Sequence, residues 1–159
     1  KSMSIDFIGK KNVRNVCTVK NQRVIRNIKH KHRTLKHKHE RLFDISSKQV
    51  NDYLKQFGTF SAKNFRTWGA NIELISQFNK LCTNNQYSKS EIKKILHRAI
   101  KKVAHKLHNT TSVCKSNYLD PELIKFFLTD YKKCILFFSD KQFNKDKLSK
   151  NYVLFLETL

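Results

Sequence analysis

The sequence predicts a mainly helical α+β chain, in which a β-hairpin at the N-terminus leads into a domain of helices. Three observations carry this. Apolar and polar residues alternate through residues 1–20, the apolar spacing switches to threes and fours from about residue 46, and only three Gly and one Pro punctuate the 159 residues. A chain of this length allows one domain with a moderate core, or a fragment of something larger.

Ile5 and Phe7, then Val13, Cys17 and Val19, stand between polar neighbours, with Gly9-Lys10-Lys11-Asn12 between the two runs. This pattern predicts a hairpin over residues 4–20. Val24, Ile25 and Ile28 are spaced for a short helix over Gln22 to Ile28. Residues 29–44, which include His30, His32, His37 and His39 among lysines, offer almost nothing to bury and read as an exposed basic connector. A metal ion there would need neutral imidazoles in fixed geometry while neighbouring ammonium groups repel it, so no metal site is expected.

Helices follow from about residue 46. Ser46-Ser47 caps a segment whose Val50, Tyr53, Leu54 and Phe57 fall on one face, ending at Gly58. Ser61 opens a longer helix with Phe65, Trp68, Ile72, Ile75, Phe78 and Leu81 on one stripe, broken by Asn84-Asn85. A third helix from Ser88 or Ser90 turns Ile92, Ile95, Leu96, Ile100, Val103 and Leu107 to the core and leaves Lys93, Lys94, Lys101 and Lys102 off that stripe. His108 to Asn117 reads as a polar loop or single turn. Pro121 is placed to begin another helix, and the tail from Asp130 to Leu159 is apolar enough for one or two more. The organisation expected is a domain over 1–122 and a C-terminal helical tail over 123–159.

The charge narrows the partner. Lys plus Arg number 33 against 12 Asp plus Glu, a formal net charge of +21. Self-repulsion of that size disfavours a compact state unless a polyanion accompanies it. No apolar run approaches the ~18 to 20 residues of a transmembrane helix, and the N-terminus lacks the apolar core of a secretory signal. The expectation is a soluble intracellular chain with no membrane partner. Cys17, Cys82, Cys114 and Cys134 are far apart with no CxxC, so they read as reduced thiols rather than a disulfide or zinc framework. No P-loop or GxGxxG is present, which argues against a nucleotide cofactor.

Two stretches carry the functional signal. Lys63, Arg66, Thr67 and Trp68 fit K-x-x-R-[TS]-[WY]. Val103 to Pro121, VAHKLHNTTSVCKSNYLDP, fits V-A-x-x-L-G-[NH]-T-P-x-x-x-[KR]-x-x-Y-x-x-P, with Asn109 and Tyr118 at its functional positions. Upstream, Phe7-Ile8-Gly9-Lys10 fits F-x-G-K. In this order the three boxes resemble the type IB DNA topoisomerases, in particular the compact enzymes of poxviruses, giant viruses and bacteria, over roughly residues 5 to 122. His108 stands where that family has Gly, and Thr111 where it has Pro. The family uses a further arginine upstream of the hairpin and a separate N-terminal clamping domain. On that comparison the sequence reads as the C-terminal part of a longer enzyme, with low activity expected of these residues alone.

The resemblance implies a helical catalytic domain of the type shared with tyrosine recombinases, acting as a monomer on double-stranded DNA with no cofactor, in a viral, nuclear or bacterial setting. It implies Tyr118 as a nucleophile that forms a 3′-phosphotyrosyl bond, Arg66 and Asn109 as donors to the phosphate oxygens, and Lys10 as the general acid. Lys63, Lys11, Lys101, Lys102 and Lys115 are then expected to contact DNA. The residue types suit these roles. An ordinary phenol titrates near ~10 and needs cations to lose its proton at neutral pH. A guanidinium stays charged and spans two oxygens, and an amide donates a directed hydrogen bond. The rival readings are a tyrosine recombinase or integrase, which usually has His where this chain has Lys63, and an inactive basic DNA-binding fragment.

Overall fold

A computed structural model describes residues 2–9, 12, 14–37, 40–83, 86–139 and 144–159. Among them are two antiparallel strands and eight α-helices, so the mainly helical α+β expectation holds. The chain divides into two compact units, Lys1–Thr59 and Phe60–Leu159.

In the first unit, strands β1 (Met3–Ile8) and β2 (Arg14–Val19) pair in register from Met3 opposite Val19 to Ile8 opposite Arg14. The Arg14 guanidinium donates from Nε to both Asp6 oxygens at 3.0 and 3.1 Å, tying the strands across one face. The turn lysines Lys10 and Lys11 lie outside the described residues. Helix α1 runs Gln22–Arg33 behind an Asn21 cap, which accepts from the Arg23 and Val24 amides. It is therefore longer than the short helix expected to end at Ile28, and it takes in the first part of the basic stretch. The reason is local: four basic residues, His30 to Arg33, fill its last turn, where the helix dipole favours positive charge. Helix α2 (Ser47–Leu54) starts from a Ser46–Gln49 capping box, continues as a single 3-10 turn over Lys55–Phe57 and stops at Gly58, whose φ of 144° suits only glycine.

The second unit is built on α3 (Ala62–Leu81) and α4 (Lys89–Lys106), packed on each other. Their caps are Ser61 with Asn64 and Ser88 with Glu91, reciprocal boxes that satisfy the first amides of each helix. Around them lie α5 (Thr111–Tyr118), α6 (Pro121–Thr129), α7 (Tyr131–Phe137) and α8 (Lys145–Leu156). The core joins Ile75 and Phe78 of α3, Ile92, Ile95, Leu96 and Val103 of α4, Leu123 and Phe127 of α6, Phe138, and Leu148 of α8. The Phe78 and Phe127 rings meet at 4.1 Å between centroids. Each such side chain contributes about 1.5–3 kcal/mol on burial.

The α3 stripe is buried only in part: Phe65 is 59% exposed, while Leu74 and Ala70 off the stripe are buried, because neighbours surround the middle of α3 and leave its first turns open. One expectation needs correction. The segment expected to be a loop or single turn before Tyr118 is the two-turn helix α5. The Thr110 hydroxyl caps it at the Val113 amide, and fully buried Cys114 pins it to the core. Polar surroundings hid a helix whose one anchoring residue is a cysteine.

Candidate active site

Helix α4 ends in a two-bond lock. The Asn109 amide donates to the Ala104 carbonyl at 2.9 Å and the His108 amide to the His105 carbonyl at 3.1 Å, with His108 in the left-handed region at φ 54°. This is the Schellman arrangement, in which Gly is the usual residue at the left-handed position. Its effect is to turn the chain sharply after Leu107 and to present Asn109 beside the end of the helix.

The Leu107 carbonyl is the meeting point of the site. Arg66, from α3, donates its Nη2 to that oxygen at 2.5 Å, and Asn109 donates its Nδ2 to the same oxygen at 3.2 Å. A helix C-terminus carries partial negative charge on its last carbonyls, so a guanidinium is well placed there. The Arg66 Cζ also sits 5.0 Å from the centroid of the Tyr118 ring, within cation–π range. Arg66, Asn109 and Tyr118, from α3, the α4–α5 turn and the last residue of α5, are therefore drawn together. Arg66 is exposed, and Asn109 and Tyr118 are half-buried, so all three face solvent in part. Arg66 spends one of its five N–H donors on the Leu107 carbonyl. Burial pushes the Cys114 thiol up, partly offset by the Arg66 charge, which makes it an inert core group under the site.

Of the other expected residues, Lys63, Lys101, Lys102 and Lys115 are exposed on the second unit. Lys10 and Lys11 fall outside the described residues. Among those described, no group of three or more His, Cys, Asp or Glu gathers as a metal site would require. No described helix is long and apolar enough to cross a membrane.

Sequence reasoning missed the support beneath Tyr118. Asn71, on α3 and 1% exposed, donates its Nδ2 to the Thr67 carbonyl at 3.0 Å and to the Tyr118 carbonyl at 3.2 Å, and its Oδ1 accepts from the Asp120 amide at 2.9 Å. Tyr152 of α8 donates to Asp120 Oδ2 at 2.9 Å, and its ring packs on Trp68 at 4.9 Å. Trp68 Nε1 donates to Ser149 Oγ at 2.9 Å. The one available signal was a lone Asn in the middle of an apolar helical run, since a buried amide must find partners.

A hairpin followed by a helical domain is the fold expected from the sequence, and in its second unit an arginine, a carboxamide and a tyrosine gather at one helix end. The family described as eukaryotic DNA topoisomerase I, catalytic core, matches residues 1–134, and the chain belongs to that family of type IB enzymes. It is thus an isomerase that acts on DNA and relaxes it. No curated protein matches the chain.

Proposed function

We propose that the chain relaxes duplex DNA by transient cleavage of one strand through Tyr118, without ATP or a metal ion. Tyr118 gives its phenol proton to solvent water as its oxygen attacks the scissile phosphorus, and a 3′-phosphotyrosyl bond forms. The bond from phosphorus to the 5′-oxygen breaks, and that oxygen takes a proton from Lys10 and leaves as a 5′-hydroxyl. Charge that builds on the non-bridging oxygens meets the Arg66 fork and one Asn109 N–H, aided by the ammonium of Lys63. Resealing runs the same steps backwards, since the phosphodiester energy is kept in the tyrosyl ester. Between the two, the duplex swivels about its intact strand. Lys11, Lys101, Lys102 and Lys115 contact flanking phosphates in a sequence-independent grip that weakens as salt rises.

The observation that supports this reading best is the convergence of Arg66 and Asn109 on the Leu107 carbonyl with Tyr118 under the guanidinium. The test is relaxation of a supercoiled plasmid in EDTA by an enzyme containing this chain, with Tyr118→Phe beside it. The wild type relaxes the plasmid and the variant does not; equal relaxation by the two would remove Tyr118 as nucleophile. Strand exchange between two sites, in place of relaxation, would favour the recombinase reading.

A further inference from the structure

We propose that Asn71 is the positioning residue for Tyr118, fixing the nucleophile's backbone through one buried carboxamide that spans the end of α5 and the start of α6. This rests on the reading of Tyr118 as nucleophile. Tyr118 is the last helical residue of α5, and the chain becomes extended at Leu119, with φ −104° and ψ 139°. Its carbonyl has no following turn to supply a helical N–H, and the Asp120 amide precedes the first turn of α6. Both are tied by the same Asn71 side chain, from one residue on each side of Leu119. The carboxamide is itself held by its bond to the Thr67 carbonyl, one turn back on its own helix. Helix α3 also carries Arg66, five positions before Asn71. One rigid helix therefore sets both the phosphate-binding cation and the backbone of the attacking residue.

A second brace acts on the same segment from the other side. The Asp120 carboxylate takes the Tyr152 hydroxyl on one oxygen and the Glu122 amide on the other, at 2.9 Å each. Burial, and then the bond to Asp120, push the Tyr152 phenol upward, so it stays a donor throughout the working pH range. Helix α8, which supplies Tyr152, follows residue 134, the end of the matched family region. The nucleophile is thus braced by an element outside the shared core. A reaction that needs in-line attack loses rate when the attacking atom drifts by a fraction of an ångström, even if the substrate still binds.

The test uses the full-length enzyme, a nicked suicide duplex on which cleavage cannot reverse, and two variants. Asn71→Leu keeps the volume and removes all three hydrogen bonds. Tyr152→Phe keeps the ring on Trp68 and removes only the brace to Asp120. The expected result is a cleavage rate constant at least tenfold lower for Asn71→Leu and severalfold lower for Tyr152→Phe, with the final yield of covalent adduct and the duplex Kd within twofold of wild type. A merely structural role would lower the adduct yield at an unchanged rate constant. Wild-type rate constants in the folded variants overturn the proposal; if Asn71→Leu does not fold, a wild-type rate in Tyr152→Phe does so. Tyr118→Phe separates the two levels: adduct formation by that variant defeats the nucleophile assignment, whereas its inactivity beside normal rates in the brace variants defeats only the positioning role.

Discussion

Leu107 contributes to the site through a backbone oxygen, and that oxygen decides how Arg66 and Asn109, the two proposed phosphate donors, are spaced. Arg66 and Asn109 both donate to it, so each side chain is already held in place by the protein. Preorganisation of this kind is where a directed donor gains its effect on rate. Asn109→Ala leaves the Schellman bonds in place, because they use the Asn109 backbone, and removes only the carboxamide. Cleavage is expected to slow by about 10²- to 10³-fold at unchanged duplex affinity, read from single-turnover cleavage beside equilibrium binding. A loss of affinity in proportion to the loss of rate would make Asn109 a ground-state binding residue instead.

Helix α4 ends in a left-handed turn occupied by a residue with a Cβ. His108 keeps the geometry that Gly would adopt freely, and L-residues pay about 1–2 kcal/mol for it. His108→Gly relieves that strain and loses some of it to the freer unfolded chain, so a net gain of about 0.5 to 1 kcal/mol is expected in urea denaturation. A destabilised variant would mean that the imidazole makes a contribution larger than the strain. The same turn shows what the sequence could and could not convey about elements. The long helices α3 and α4 were legible because capping residues and apolar periodicity agree over four or more turns. Helix α5 was not, because its single buried anchor, Cys114, carries no periodicity. The far end of α1 was not, because its last turn is basic and solvated, so nothing in the apolar pattern marks it. That Arg66, Asn109 and Tyr118 come together was legible through box spacing. Asn71 was not, since its role depends on a segment almost fifty positions away that only the fold brings near.

In the second unit, cationic repulsion is relieved at Glu73, buried on α3 and paired with Lys106 of α4 and Lys145 of α8. Burial opposes its ionisation. The hydrogen bonds from Lys106 and Gln77, the attraction of Lys106, and the bond from Lys145 outweigh that and bring the carboxyl down to about 2. A carboxylate lowered on folding adds stability that is full above its unfolded value of 4.5 and is lost as pH falls from there toward about 2. Both lysine ends are largely exposed, so screening reduces the contribution to about 1–2 kcal/mol. Glu73→Gln should therefore lower stability at pH 6 by that amount and match the wild type near pH 2, measured by denaturant titration at each pH; an equal deficit at both would assign the effect to packing. The net charge of +21 first named only a polyanionic partner. With the fold in hand, one guanidinium of that excess stands over a phenol, and Lys63, Lys101, Lys102 and Lys115, exposed on the same unit, are proposed to grip DNA. The most direct check of that division is to cleave a duplex labelled at the scissile phosphate, digest the enzyme and find which residue holds the label. A single labelled peptide with the 3′-phosphate on Tyr118 is expected, formed in EDTA and absent from Tyr118→Phe. Label on another residue, or an adduct that survives Tyr118→Phe, would contradict it.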